Sequence, residues 1–268
     1  MCGRYASSRK PEDLIEEFEV IDPRLEKPLE PDFNVAPTKE VYAVMERRPS
    51  TLRDGSSLAS SGTKGAEPAQ RQLRTLRWGL IPSWAKDPAI GSRMINARME
   101  TVAEKPSFRR AFSARRCLLP ADGYFEWYPT SRKTKAGKPA KQPFFIRPKD
   151  GGVLAMAGLY EIWRDPTRDE DDPERFRWTC TVLTTQAEDA VGHIHDRMPL
   201  MVEPDRRAAW LDPTASSKDD LLGLLVPAAP GRLEAFPVST LVSNVRNNGP
   251  DLVEPIPLET LPLEDGLP

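Results

Sequence analysis

The chain has 268 residues and a mass of 30.0 kDa, which at ~150 residues per domain predicts one large domain or two small ones. A hydrophobic fraction of 39% and a charged fraction of 29% allow a real core and exclude a membrane protein, since no apolar run approaches the ~18–20 residues of a transmembrane helix. Residues 1–10 carry no apolar signal segment, and the three cysteines (Cys2, Cys117, Cys180) form no C-x-x-C pair, so a cytosolic protein without a disulfide scaffold is expected.

The formal net charge of −2 conceals an asymmetry. Residues 1–160 hold 28 basic and 19 acidic residues, whereas residues 161–268 hold 10 and 21. Residues 71–116 alone hold 11 basic and 3 acidic ones. Such a segment is a candidate nucleic-acid footprint, unless the two halves pack together and pair their charges. Arginine outnumbers lysine 26 to 12, which suits phosphate, although genomic base composition gives the same bias.

With 28 prolines the chain is punctuated too often for long helices. Residues 11–20 read as a short amphipathic helix with Ser8 upstream, Pro11 in the first turn and Leu14, Ile15 and Phe18 on one face. Residues 41–45 read as a strand, and residues 48–72 as a Ser/Gly/Ala/Pro-rich flexible insertion. Extended structure resumes at 73–78, and 107–115 reads as a helix. Strands are expected at 117–119, 123–128, 143–147, 153–163 and 178–184. Between them lie a basic hairpin loop at 130–141 and an acidic loop at 164–175. Residues 204–211 and 217–225 look helical, and a Pro-rich, extended tail follows Gly249. The fold expected is α+β: one domain over residues 1–250, with a mixed, mostly antiparallel sheet or barrel-like core and short peripheral helices, then a tail over 251–268.

Cys2 is the most informative position. Removal of Met1 leaves a free amine and a thiol on adjacent carbons, with ordinary pKa values of ~7.7–8.0 and ~8.5. Such a 1,2-aminothiol suits an aldehyde: the amine forms an imine and the thiol closes a thiazolidine. It also suits attack of the thiol on a carbonyl with the amine as base. An accidental second-position cysteine is the bland alternative. His193 and His195 are the only histidines; with Asp196 as the sole neighbouring ligand type, a proton shuttle fits better than a metal. On a strand the two rings would share a face, and the alternative is a solvated turn. Glu126 sits among aromatics, where burial would raise its pKa, or else it is surface. Asn96 and Arg98 would share one side of an extended segment, an amide and a guanidinium suited to a sugar phosphate. Trp84 could stack on a base, or be an ordinary core tryptophan.

Six blocks occur in order: Met1-Cys2-Gly3-Arg4-Tyr5; Phe33-Asn34-Val35-Ala36-Pro37-Thr38; residues 77–84 (RWGLIPSW); residues 95–101 (INARMET); residues 116–127 (RCLLPADGYFEW); and residues 193–199 (HIHDRMP). Together they resemble the SOS-response-associated peptidase (SRAP) family of abasic-site processing proteins, from Cys2 to about Pro250. The resemblance implies a DNA-repair function on abasic sites in single-stranded DNA at stalled forks, where the N-terminal cysteine captures the ring-opened sugar aldehyde as a reversible thiazolidine crosslink. It implies peptidase-like removal of Met1, proposed for the family to be autocatalytic. By the same resemblance Cys2 is the nucleophile, Glu126 the acid–base carboxylate, His195 the assistant of ring opening and crosslink reversal, and Asn96 the positioning amide. Arg98 and Arg197 correspond to phosphate clamps, with Arg4 and Arg77 nearby. Asn34 and Pro37 correspond to a loop lining the site, while Trp84 stacks on or wedges a flanking base. Trp127 joins the DNA-binding set, and His193 is given a structural role. The resemblance implies no cofactor and no metal, a monomer, abasic single-stranded DNA and replication-fork proteins as partners, no membrane, and a cytoplasmic location (nucleoid-associated in a bacterium, nuclear in a eukaryote).

The insertion and the acidic loop depart from a compact member, and the acidic loop is expected to point away from DNA. Three other readings remain open from the sequence. N-terminal-nucleophile glutamine amidotransferases also begin Met-Cys-Gly, but usually continue into an apolar strand rather than Arg4-Tyr5-Ala6-Ser7-Ser8. A non-covalent reader of single-stranded DNA would bind without Cys2. A protease acting on other proteins would need an oxyanion hole for which the sequence offers no residues.

Overall fold

Strand alternation determines this architecture. On β4 (Glu40–Arg47), Val41, Ala43 and Met45 join one buried cluster while Tyr42 and Val44 join another. The same split recurs along four further strands, so both faces of each are buried. A sheet with two buried faces must close or be covered, and here it does both. The computed structural model describes residues 2–47, 68–187, 193–227 and 229–257.

In chain order the elements are β1 (Tyr5–Ser7), α1 (Pro11–Glu17), β2 (Asp22–Arg24), β3 (Asp32–Val35), β4, β5 (Gln70–Trp78), β6 (Asn96–Arg98), α2 (Arg109–Ala114) and β7 (Arg116–Ala121). Then come β8 (Gly123–Lys133), β9 (Pro139–Pro148), β10 (Leu154–Arg164), β11 (Phe176–Gln186), β12 (Arg197–Pro199), α3 (Arg207–Leu211), α4 (Lys218–Gly223) and β13 (Leu233–Pro237). The α+β expectation holds, with short helices around a mixed sheet.

The larger sheet runs β12-β11-β10-β7-β4-β5-β2, and a further pairing of β11 with β5 closes five of its strands into a ring. Inside the ring lie Met45, Leu76, Trp78, Cys117, Leu119, Met156, Cys180 and Val182. Its outer face is covered by Leu14 and Phe18 from the α1 region, Phe112 from α2, Trp210 from α3 and Leu221 from α4. The smaller sheet, β13-β9-β8-β1-β3, lies against one mouth of the ring. Its inner face contributes Tyr5, Val35, Tyr124 and Ile146 to the ring's cluster, with Tyr5 edge-on to Trp78 at 5.1 Å. Its outer face packs Phe125 and Phe145 against Val238, Val242 and Leu252.

Several expected boundaries shift. Gln70–Gln72 belong to β5, because pairing with β4 extends to Arg47; residues 48–67 of the expected insertion lie outside the described residues. The basic loop at 130–141 is mostly strand: β8 runs to Lys133 and β9 starts at Pro139. Beyond Gly249 the chain is not simply extended. Residues Pro250–Val253 form a 3-10 turn that buries Leu252, and Ile256 N–H bonds the Pro237 carbonyl. No described helix is long and apolar enough to cross a membrane.

The basic run at 71–116 is not one patch. Arg71 is held by Glu46 and Glu19, and Arg115 by Glu161. Arg116 is buried and binds backbone only: its guanidinium donates to the carbonyls of Trp210 (2.8 Å), Phe112 (2.9 Å), Ser113 (2.8 Å), Ala215 (3.1 Å) and Asp212. One side chain thereby ties the ends of α2 and α3 to β7. Arg116→Met should leave those buried acceptors unpaired and lower unfolding free energy by ~3–5 kcal/mol in urea titration, whereas the exposed Arg109→Ala should change it by no more than ~0.5 kcal/mol.

Candidate active site and nucleic-acid face

Cys2 lies at the start of the segment that β1 threads between β3 and β8. Tyr5 pairs with Val35 on one side and Tyr124 on the other, which drives the first residues into the mouth of the ring and buries Cys2. Burial raises the thiol pKa, and the nearby Glu126 carboxylate raises it further. The thiol is therefore neutral in this setting. Asn96 Nδ2 donates to the Cys2 carbonyl oxygen at 2.7 Å.

Glu126 follows Tyr124 by two residues on β8 and so shares its face. It is buried, and burial pushes its pKa up to about 7 against the opposing positive charge at the chain's amino end. That same charge acts on His195, whose pKa is lowered, first by burial. The Arg197 backbone N–H donates to His195 Nδ1 at 2.9 Å, which leaves the proton of the neutral ring on Nε2. Asp196 Oδ1 lies 2.9 Å from the same nitrogen and can accept from it only when the ring is protonated.

Strand β11 assembles the rest. Its Val182–Thr184 stretch pairs in parallel with Asn96–Arg98 of β6, and its Thr184–Gln186 stretch pairs with Arg197–Pro199 of β12. Asn96, Arg98 and Arg197, about a hundred residues apart in sequence, are thus neighbours across one strand end. Gly79 makes the route to β6 feasible. Its φ is +127°, and a Cβ there would lie 2.6 Å from the Gly91 carbonyl oxygen, so only glycine allows the two segments to touch. Arg98 is exposed, whereas Arg197 is engaged: it forms a bidentate pair with Glu100 at 2.6 and 3.0 Å and donates to the Thr184 carbonyl at 2.6 Å.

The structure therefore groups Cys2, Asn96, Glu126 and His195, with Arg98 and Arg197 on the adjoining strands. Other predicted residues fall elsewhere. Arg4, Asn34 and Trp127 form a cluster of their own. Arg4 donates to Asn34 Oδ1 at 2.7 Å and lies 5.6 Å from the Trp127 ring; Trp127, next to Glu126 on β8, faces the other way. The Asn34 amide is buried and donates to the carbonyls of Val242, Asn244 and Asn247, so it holds a loop. Pro37 precedes Thr38, whose φ of 73° turns the chain into β4. Trp84 is exposed, with exposed Lys86, Arg93, Lys105, Arg109 and Arg110 on the same 84–110 stretch. His193 is exposed on a 3-10 turn, so the pair of histidines is not on a strand and His193 supports no packing.

Arg77 alternates with the inward Trp78 and lines a separate cleft of about 790 Å³ with Arg74, Arg177 and Trp178. The acidic loop borders that cleft, at the end of β11 remote from Arg98 and Arg197, eight residues or about 26 Å along the strand. Its acids are largely paired: Asp165 with Arg177, Asp172 with Arg168, Glu170 with Arg175.

Four contributors were not singled out from sequence. The Tyr5 and Tyr124 hydroxyls are buried without hydrogen-bond partners among the described residues, and both side chains share the core cluster of Cys2, where burial first and a neighbouring cysteine second raise their pKa values. Glu100 restrains Arg197, and its pKa is lowered by that hydrogen bonding. Lys141 places a positive charge near both Glu126 and His195. Each lay inside a motif or hairpin already noted, but only cross-strand register reveals its neighbours.

A thiol, an amide on its own backbone, a carboxyl that titrates near neutrality and a neutral imidazole can move protons around a carbonyl addition at physiological pH. Residues 1–245 match the family described as SOS response associated peptidase (SRAP). The abasic site processing protein YoqW of Bacillus subtilis is 38% identical over 95% of this chain and 99% of its own length. YedK of Escherichia coli, of the same description, is 32% identical over 96% and 100%, and HMCES of Xenopus tropicalis is 28% identical over 96% and 78%. A crystal structure of a Bacteroides thetaiotaomicron protein shares the fold, with a TM-score of 0.71 at 23% identity over 95% of this chain and 100% of its own. Since the family pattern spans nearly the whole chain and two relatives above 30% identity, YoqW and YedK, align along 99% and 100% of their lengths, this protein belongs to the SRAP family.

Proposed function

We propose that this protein processes abasic sites in DNA, capturing the sugar aldehyde of a single-stranded abasic site on Cys2 once Met1 has been removed. The observation that carries the reading is the Asn96 amide on the Cys2 carbonyl beside a carboxyl with a pKa near 7. The Cys2 amine adds to the aldehyde carbon, and the carbinolamine loses water to give an imine. The thiol sulfur then adds to that carbon, and its proton goes to the nitrogen, closing the thiazolidine. One water leaves in all. Because burial keeps the thiol neutral, the amine is the first nucleophile and the thiol closes the ring.

Glu126 takes the proton from the Cys2 ammonium and returns one to the departing hydroxyl. As the closed sugar opens, Glu126 passes the proton of the anomeric hydroxyl to the ring oxygen while His195 steadies that oxygen with a hydrogen bond from Nε2–H, and the same steps in reverse support release. Asn96 holds the Cys2 backbone in line. Arg98 takes a phosphate directly, and Arg197 does so after exchanging Glu100 for it. Exposed Trp84 stacks on a flanking base, which favours unpaired strands. Arg4, Asn34 and Trp127 support the loop beside the strand, and Pro37 its turn; Arg77, facing the other cleft, is left out of this interface.

Protein confirmed to lack Met1, mixed with single-stranded DNA bearing one abasic site, should give a heat-stable band with the mass of protein plus DNA minus water. Cys2→Ala and intact DNA should give none; absence of the band for the native protein sinks the reading. The crosslinking rate at saturating DNA should rise with pH through about 7, because Glu126 accepts a proton only when ionised. Glu126→Gln should lose that limb and slow the reaction by ~10²–10⁴-fold. Arg98→Ala should weaken binding to all single strands and flatten the salt dependence by ~0.7 per decade, as measured by fluorescence anisotropy between low and high salt.

A further inference from the structure

The part of the β8–β9 ribbon beyond Tyr128 is not used by the chemistry above. The ribbon begins in the site, where Glu126 pairs with Phe144, and continues outward through Trp127–Pro143, Tyr128–Gln142 and Pro129–Lys141. Beyond Tyr128 it leaves the core: residues 131–139 and Lys141 are exposed, with no partner layer on either face. This stretch carries Arg132, Lys133, Lys135, Lys138 and Lys141 and not one acid. Among the described residues none of the five makes an ion pair, so the charge of the stretch is not locally neutralised.

Charge on a bare ribbon also prevents edge-to-edge pairing, but that purpose is served by either sign. Five cations of one sign with no acid instead form a local positive field. The ribbon is also anchored where the reaction takes place, because Lys141 acts on both Glu126 and His195. From Lys141 to the turn at Lys135 it extends ~20 Å at ~3.3 Å per residue. That is the span of about six phosphates at 3.4 Å per strand.

We propose that the β8–β9 ribbon is a second nucleic-acid contact, a basic arm that tracks the phosphate backbone flanking the reacting nucleotide. This rests on the reading that DNA is the substrate. The arm reads no sequence; it adds affinity and fixes the side on which the flanking strand leaves the site. Four of its five cations are lysines, flexible and strongly hydrated, as suits loose phosphate tracking rather than a fixed bidentate clamp.

The test uses the full chain with Arg132, Lys133, Lys135 and Lys138 all changed to Gln, leaving Lys141 and the site untouched. Lys10→Gln with Lys218→Gln serves as a control for loss of exposed charge elsewhere. Binding to intact single strands of five and twenty nucleotides is measured across salt, and crosslinking is measured separately at saturating abasic DNA. The arm variant should bind the twenty-nucleotide strand at least about tenfold more weakly, with a salt slope reduced by up to ~3, and bind the five-nucleotide strand as the native protein does. Its crosslinking yield at saturation should be unchanged. Native affinity and slope on the long strand would overturn the proposal, as would an equal loss on both lengths, which would put the cations at the site rather than on the flank. If the native protein forms no crosslink at all, the reading of Cys2 fails, while the length and salt data on intact DNA still decide the arm.

Discussion

The insertion of β1 between β3 and β8 is the constraint on which the site depends. Three residues, Tyr5–Ser7, pair on both sides. That pairing holds the start of the chain, otherwise free to fray, in the mouth of a closed ring. Tyr5 locks it by packing edge-on against Trp78, a fully buried residue of the ring. The start of the chain is thereby a fixed point of the core, and the nucleophile proposed there would need little further ordering when substrate arrives.

The same insertion explains the electrostatics. A carboxyl at Glu126 is forced beside the buried start of the chain, and burial raises its pKa from an ordinary 4.5 to about 7. Keeping it ionised at neutral pH costs about 3 kcal/mol relative to solvent, at ~1.4 kcal/mol per pKa unit. A shift of that size puts the carboxyl within reach of proton transfer at neutral pH. His195 is shifted the opposite way, first by burial, so acid and base functions are both available near neutral pH.

β11 acts as the second organiser. One end carries the pairings that bring Asn96, Arg98 and Arg197 together, and the other carries the acidic loop. Separating the two by the length of a strand keeps repulsive carboxylates away from Arg98 and Arg197. The acids of that loop are spent locally on Arg168, Arg175 and Arg177, while Glu161 and Glu234 of the negative half pair with Arg115 and Arg147 of the positive one.

Sequence by itself determined the class of the fold, most strands, the helix at Pro11, and the candidate nucleophile, because alternation, proline placement and a second-position cysteine are local signals. It also placed the six motif blocks from which the grouping of Cys2, Asn96, Glu126 and His195 was expected. Only the tertiary structure decided which charges act together. Arg71 to Arg116 looked like one basic patch, yet Arg116 is a buried backbone clamp and Arg77 faces a different cleft. Asn34 looked like a site lining and instead holds a loop through three carbonyls. The Glu100 partner of Arg197 and the reach of Lys141 to Glu126 were hidden for the same reason. Which face a side chain takes follows from period two along its own strand, but what it meets there depends on the register of strands up to a hundred residues away, and that register is set by closure of the ring.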